Sequence, residues 1–195
     1  MEEAKIKKNY RNFRRSEKSI IRAYVSLIQK KKKITVTDIV NTADLNRSTF
    51  YAHFKSVDDV REKIQSDVIM DLLGTLDKRD YRDSLKDPYK AMKRVMDFIK
   101  SDEDFYKMLL NIDGADKFLK KLRDIVIEHY MSDVVILPYI KNRDEFEMRL
   151  RLFIGGYVSV IEDWAHGNVN MPLEKCTVII SELIKTCVKT YTENK

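Results

Sequence analysis

Apolar residues recur at three- and four-residue steps through most of this chain, and nowhere does the two-residue alternation of a half-buried strand persist. That spacing predicts an all-helical protein. The first helix is expected from about residue 17 to 31, with Ser16 as its N-cap and Ile20, Ile21, Tyr24, Leu27 and Ile28 on its apolar face. Two short helices follow at 36–43 and 47–54. A fourth opens after Ser56 and carries Val57, Val60, Ile64, Val68 and Leu72 on one stripe to about Leu76. Further helical stretches fall at 88–101, 103–111, 115–131, 144–166 and 172–192, about nine helices in all. Asp113-Gly114 and Asn168 mark breaks, and Leu137-Pro138 reads as a helix end or kink. The polar segment between Leu76 and Pro88, DKRDYRDSLKD, ends in Asp-Pro, which stops helices; it is the expected boundary between a small first part and a larger second one.

The most specific segment is ITVTDIVNTADLNRSTFYAHFKSVDDV, residues 34–60. Thr35 and Asp38 have capping-box spacing, with Asp in place of the longer Glu or Gln. Ile39, Val40 and Ala43 form a short apolar stripe, Asp44 sits at the turn, Leu45 points back to the core, and Asn46 is a good N-cap for the next helix. In RSTFYAHF, Phe50 and Phe54 are four apart and face inward. Arg47, Ser48, Thr49, Tyr51, Ala52 and His53 are left for the other faces. Two short helices joined by a tight turn, the second basic and rich in hydroxyls, are the layout of a helix-turn-helix, whose second helix enters the DNA major groove.

Residues from about Ser16 to Ile64 resemble the DNA-binding domain of the TetR family of transcriptional regulators. Thr35, Ile39, Ala43, Thr49, Phe50, Tyr51, His53, Phe54 and Ser56 stand at positions of that family's pattern. Four residues depart from it. Val40 replaces a small Ala, and Asp44 replaces Gly at a turn position that calls for φ > 0, which Asp tolerates better than most residues. Asn46 replaces a Ser cap. Val57 replaces a Lys that in the family touches a phosphate, leaving Lys55 as the nearest substitute. The resemblance implies a head of three helices and a larger helical body that binds ligand and dimerises. Residues 1–65, including the start of the fourth helix, are the expected DNA-binding part; residues 66–195 are the expected ligand-binding and dimerisation part.

Charge supports a polyanionic partner. Residues 1–65 hold 16 Lys+Arg against 8 Asp+Glu, whereas the remaining 130 residues hold 21 against 23. The excess lies in a basic arm (Lys5, Lys7, Lys8, Arg11, Arg14, Arg15) ahead of the expected first helix and in the run Lys30 to Lys33 after it. The longest apolar runs, such as 134–137, are far too short to cross a bilayer, and the charged N-terminus has no secretory h-region. Cys176 and Cys187 lie eleven apart on one predicted helix, too far for a disulfide, and are expected as reduced thiols in a cytoplasmic protein. The three His are dispersed, and neither a metal-ligand spacing nor a Gly-rich phosphate loop is present, so no cofactor, metal or enzymatic activity is expected.

Base edges are the expected partners of Thr37, Arg47, Ser48 and Thr49, since Arg can bond guanine in bidentate fashion and short hydroxyls allow close approach. By resemblance, Tyr51, His53 and Lys55 are phosphate contacts, with backbone N–H groups near Thr35 adding to them. In the body, Tyr89, Met92, Met96, Phe105 and Met108, together with Tyr130, Phe153, Tyr157 and Trp164, are candidates for a small-molecule pocket; ordinary core packing would use the same residues. The last two helices have wide apolar faces. Tyr157, Ile161, Thr177, Ile180, Ile184 and Cys187 are the expected homodimer contacts, and Gly155-Gly156 inside a helix suggests a close helix approach. A homodimer would set two heads one helical turn apart on a two-fold related operator, roughly 34–36 Å. A ligand that changed this spacing would release or re-orient the protein, provided it favoured one state by about 1–3 kcal/mol. The expected function is a ligand-responsive transcriptional regulator, in the first instance a repressor. The alternative is a TetR-like co-regulator or protein-binding module without specific DNA binding.

Overall fold

The computed structural model describes residues 2–28, 30, 33–76, 87–112, 114–132 and 143–193, with side chains described within Arg11–Thr186. The Leu137-Pro138 break, Asp113, most of the polar segment before Pro88, and the side chains of Lys5, Lys7, Lys8 and Cys187 lie outside the described residues. Among the described residues all regular structure is helical. The helices are α1 (Glu2–Ile28), α2 (Val36–Ala43), α3 (Arg47–His53), α4 (Val57–Thr75), α5 (Pro88–Lys100), α6 (Glu103–Leu110), α7 (Ala115–Met131), α8 (Arg143–Ala165) and α9 (Leu173–Glu193). The chain divides into two compact units, Met1–Val68 and Ile69–Lys195.

In the first unit α1 packs against α2 and α3. Its core is built from Ile20, Ala23, Tyr24 and Leu27 of α1, Ile39 and Val40 of α2, Phe50 and Phe54, and Val60 and Ile64 of α4. Each short helix is held at its ends. Asp38 N donates to Thr35 Oγ1 at 3.2 Å, and Thr35 N donates to Asp38 Oδ2 at 3.0 Å, so Asp closes the capping box despite its shorter reach. Asp44 ends α2 in the left-handed region, at φ 54° and ψ 50°. Asn46 Oδ1 takes up the Thr49 N–H at 2.7 Å to start α3. At the start of α4, Asp59 accepts from Lys55 N at 2.8 Å and from Ser56 Oγ at 2.9 Å. The Lys55 backbone bond, with help from Ser56, holds the Asp59 carboxyl below the usual carboxylate range.

The first helix begins much earlier than its spacing suggested. The expected basic arm is helical from Glu2, and Ser16 lies inside α1 instead of capping it. Ser16 Oγ donates back to Phe13 O at 2.9 Å, the in-helix alternative to capping. Residues 2–16 contain neither Pro nor Gly, and Glu2 and Glu3 suit the positive end of the helix, so nothing local stops it.

This extension braces α3. Phe13 packs against the His53 ring, centroids 3.9 Å apart and planes tilted by 42°, and Ser16 Oγ lies 2.7 Å from His53 Nε2. His53 Nδ1 is buried, with no hydrogen-bond partner among the described residues. Burial lowers the His53 pKa from its ordinary 6.5, against a smaller opposing effect of Glu17.

In the second unit α9 packs along α5 and α8, and α8 also packs on α6 and α7. Leu72 and Leu76, at the end of α4 and just beyond it, join Val126 of α7 in a buried cluster flanked by Val95, Phe98, Tyr130 and Ile154. Gly114 precedes α7 at φ 85°, a conformation open to Gly at little cost. Tyr157 of α8 donates to Met92 O of α5 at 3.1 Å, and Thr177 Oγ1 of α9 lies 3.3 Å from the same hydroxyl. Burial pushes the Tyr157 pKa up to about 12, so it stays a neutral donor. Lys100 and Glu174 add an ion pair between α5 and α9.

Two outcomes follow for the head. Phe50 is completely buried, so Phe50→Ala should cost about 3–5 kcal/mol in chemical denaturation of the head; a loss below about 1 kcal/mol would contradict its place at the centre of the core. Because the fold keeps His53 neutral, the unfolded chain binds the proton more tightly. Head stability should therefore be full above 6.5 and decline as pH falls through that value toward the depressed one. Unfolding midpoints measured between about pH 7.5 and pH 5 should show this decline in the intact chain, and His53→Gln should remove that part of it.

Candidate nucleic-acid interface

α3 is seven residues long, and its buried Phe50 decides which way everything else on it points. Arg47, Ser48, Tyr51 and Ala52 are exposed, and Thr49 and His53 are half-buried. Tyr51 is 55% exposed, with its ring edge-on to Phe50 at 5.4 Å between centroids. Thr37 of α2 joins this surface directly, because Arg47 Nη2 donates to Thr37 Oγ1 at 2.5 Å. Lys55, also exposed, sits just past the end of α3. One face thus gathers a guanidinium, three hydroxyl side chains from α2 and α3, a phenol and an ammonium. Such a set matches the base edges and phosphates of a duplex groove.

Two of the expected contacts are committed elsewhere. Thr35 is exposed, but its hydroxyl donates to Asp38 Oδ2 at 2.8 Å and its backbone N–H to the same atom, so it serves the capping box. His53 does not present a ring nitrogen outward: Nε2 bonds Ser16 and Nδ1 is buried. His53 packs between α3 and α1, where the extension of α1 supplies Phe13 and Ser16. Helix α1 also carries a basic face that joins Arg11 and Arg15 of the expected arm to residues further along. Arg11, Arg15, Lys18 and Arg22 are all exposed and follow i, i+4, i+7, i+11, a period legible in the charges alone.

The candidate pocket residues are distributed through the second unit. Met92, Met96, Tyr157 and Trp164 are buried, while Tyr89, Phe105, Met108, Tyr130 and Phe153 are half-buried. Met92 and Tyr157 meet through the hydroxyl bond already described. Tyr130 lies instead against the Leu72–Leu76–Val126 cluster, and Trp164 stands under the Lys107 ammonium, 4.5 Å from its ring centroid.

The expected dimer contacts sit mostly inside the chain. Tyr157, Ile161, Thr177 and Ile184 are buried within the second unit and Ile180 is half-buried; Tyr157 and Thr177 meet each other there, and Tyr157 also bonds α5 through Met92 O. The exposed apolar side chains lie on the opposite faces of the same helices. They are Met148 (68% exposed) and Leu152 (70%) on α8, with Val178, Ile179 and Leu183 (61%) on α9. Gly156 is exposed, and among the described residues nothing lies within 4 Å of where its Cβ would stand, while Gly155 has Arg123 Cδ at 3.9 Å. Each of these helices has two apolar stripes, and spacing alone does not say which one meets the chain's own core. Cys176 is buried and free. No described helix is long and apolar enough to cross a membrane.

A family model described as a transcriptional regulator C-terminal region, of the TetR type, matches residues 86–186, just over half of the chain. Two solved structures share the fold. One, the dihydroxyacetone kinase operon activator DhaS, superposes with a TM-score of 0.65 at 19% identity, over 90% of this chain and 97% of that one. The other, described as a candidate TetR-family transcriptional regulator from Syntrophomonas wolfei, gives a TM-score of 0.66 at 14% identity, over 89% of this chain and 94% of that one. A search of curated proteins finds no match. All-helical architecture, a helix-turn-helix head and the matched C-terminal region agree: the chain belongs to the TetR family of transcriptional regulators.

Proposed function

We propose that this chain is a homodimeric, sequence-specific DNA-binding regulator, by default a repressor, whose grip on a two-fold related operator is changed by a small molecule bound in the body. Residues 1–65 act as the reading head and residues 66–195 as the ligand-binding and dimerising body. The observation that carries this reading is the outward face of α3, where Arg47, Ser48 and Tyr51 stand exposed around a fully buried Phe50. Arg47 suits guanine O6 and N7, Ser48, Thr49 and Thr37 lie close enough to the surface to meet neighbouring base edges, and Tyr51 and Lys55 reach phosphates. The exposed basic face of α1 adds sequence-independent attraction to the duplex.

The second copy is proposed to cover Met148, Leu152 and Gly156 of α8 with Val178, Ile179 and Leu183 of α9. Large exposed apolar side chains on adjoining helices favour burial, and Gly156 lets a partner backbone come close. The effector is placed in the body's interior near Met92, Met96 and Tyr157. Methionine side chains adapt to a guest there, and the Tyr157 hydroxyl can exchange its bond to Met92 O for one to a ligand. Leu72 and Leu76 belong to the body's packing, and Val60 and Ile64 of the same helix to the head's. A ligand that displaced the far end of α4 would alter the spacing of two heads. One fold neighbour is an operon activator by name, so transcription from the bound operator is the readout for either direction.

Selection of bound fragments from random DNA should yield a two-fold related site. Arg47→Ala should relax preference at one position per half-site, at a cost of about 1–3 kcal/mol. Equal binding to all fragments at every salt concentration would remove the specific reading. Leu152→Glu combined with Leu183→Glu should shift the sedimenting species from dimer to monomer and weaken operator binding, with the helical content retained. A variant that still sediments as a dimer would place the interface elsewhere.

A further inference from the structure

The bonds around Asn46 fix more than the start of a helix. Asn46 Oδ1 accepts the Thr49 backbone N–H at 2.7 Å, which identifies that atom as the amide oxygen and not the amide nitrogen. Two hydroxyls lie against the same oxygen, Ser48 Oγ at 2.8 Å and Thr49 Oγ1 at 2.7 Å. An amide oxygen only accepts, and a hydroxyl owns one hydrogen. Ser48 and Thr49 therefore both spend their hydrogens on the cap and keep only lone pairs for an incoming partner. Arg47 beside them has the opposite polarity. It carries donors alone, and one of them is anchored on Thr37 Oγ1 of α2.

We infer that Asn46 is a specificity-determining positioning residue. By holding the Ser48 and Thr49 hydrogens it turns these hydroxyls into acceptors, so each half-site pairs the guanine suited to Arg47 with a neighbouring base that offers an amino group in the major groove, adenine N6 or cytosine N4. Guanine O6 or thymine O4 at that neighbouring position would set acceptor against acceptor and is selected against unless the cap opens. The inference rests on the reading of α3 as the helix that meets DNA.

The test is selection of bound duplexes from a random pool by the full chain and by Asn46→Gly, Asn46→Asp, Arg47→Ala and the pair Ser48→Ala/Thr49→Val. Gly caps helices nearly as well as Asn, so Asn46→Gly should keep the circular dichroism and unfolding midpoint of the intact protein. The intact chain should select adenine or cytosine at the position that Ser48→Ala/Thr49→Val relaxes. Asn46→Gly should lower the amino-over-keto preference there about tenfold while keeping the guanine assigned to Arg47. Asn46→Asp retains the acceptor and should retain the amino preference even where total affinity drops. A keto base selected there by the intact chain, or an unchanged preference in a folded Asn46→Gly, overturns the inference. So does a switch to keto bases in Asn46→Asp, which decides the matter if Asn46→Gly does not fold. A pair variant that relaxes no position also overturns it, and these failures leave the DNA reading intact if Arg47→Ala still relaxes its own position. A pool with no enriched site overturns both.

Discussion

Burial of Phe50 is the constraint on which the rest of the head depends. A helix of seven residues forms too few hydrogen bonds to offset the cost of its own nucleation, so α3 exists because its apolar side is taken up against α1 and α2. Once Phe50 is buried in the core of the head, rotation about the helix axis is no longer free. The periodicity of 3.6 residues then puts Arg47, Ser48 and Tyr51 outside with no further instruction. The same burial that stabilises the head selects the chemical face it offers.

Local hydrogen bonding refines what burial has set up. Thr35 and Asp38 satisfy each other at the start of α2, Asp44 accepts the left-handed turn, and Ser56 with Asp59 opens α4. These groups are polar, Thr35 and Asp44 exposed and Asp38, Ser56 and Asp59 half-buried, yet they are not spare surface, since each satisfies backbone groups that a helix end leaves unpaired. Asn46 shows how far this reaches. A residue recognisable in the sequence as a cap also dictates the direction of two neighbouring hydroxyl bonds. A cap and a reading surface only one or two residues apart cannot be chosen independently.

The body follows a different logic. Its helices are long, and α8 and α9 each carry more apolar surface than a single chain can cover. One stripe of each goes inward, where Tyr157 joins α8 to α5 through Met92 O and lies beside Thr177 of α9. The other stays at the surface. An apolar stripe left in water on two adjoining helices is unusual for a surface, and it is the feature on which the proposed pairing of two copies rests.

Much of this was legible in the residues themselves. Helix positions follow from three- and four-residue spacing, and the helix-turn-helix from Thr35, Asp38, Asn46 and the Phe50–Phe54 pair, because caps and periodicity are local properties carried by a few neighbouring side chains. The early start of α1 was not legible: Ser16 looks like a cap in isolation, and only its contact with His53, 37 residues away, gives it another role. Nor could spacing assign Ile184 to the interior and Leu183 to the surface, since both belong to apolar stripes on α9. The sequence determined which segments are helical and which residues can end them. Tertiary packing alone decided which stripe of each helix is hidden and which hydroxyls, rings and charges remain outside, because that choice depends on partners distant along the chain.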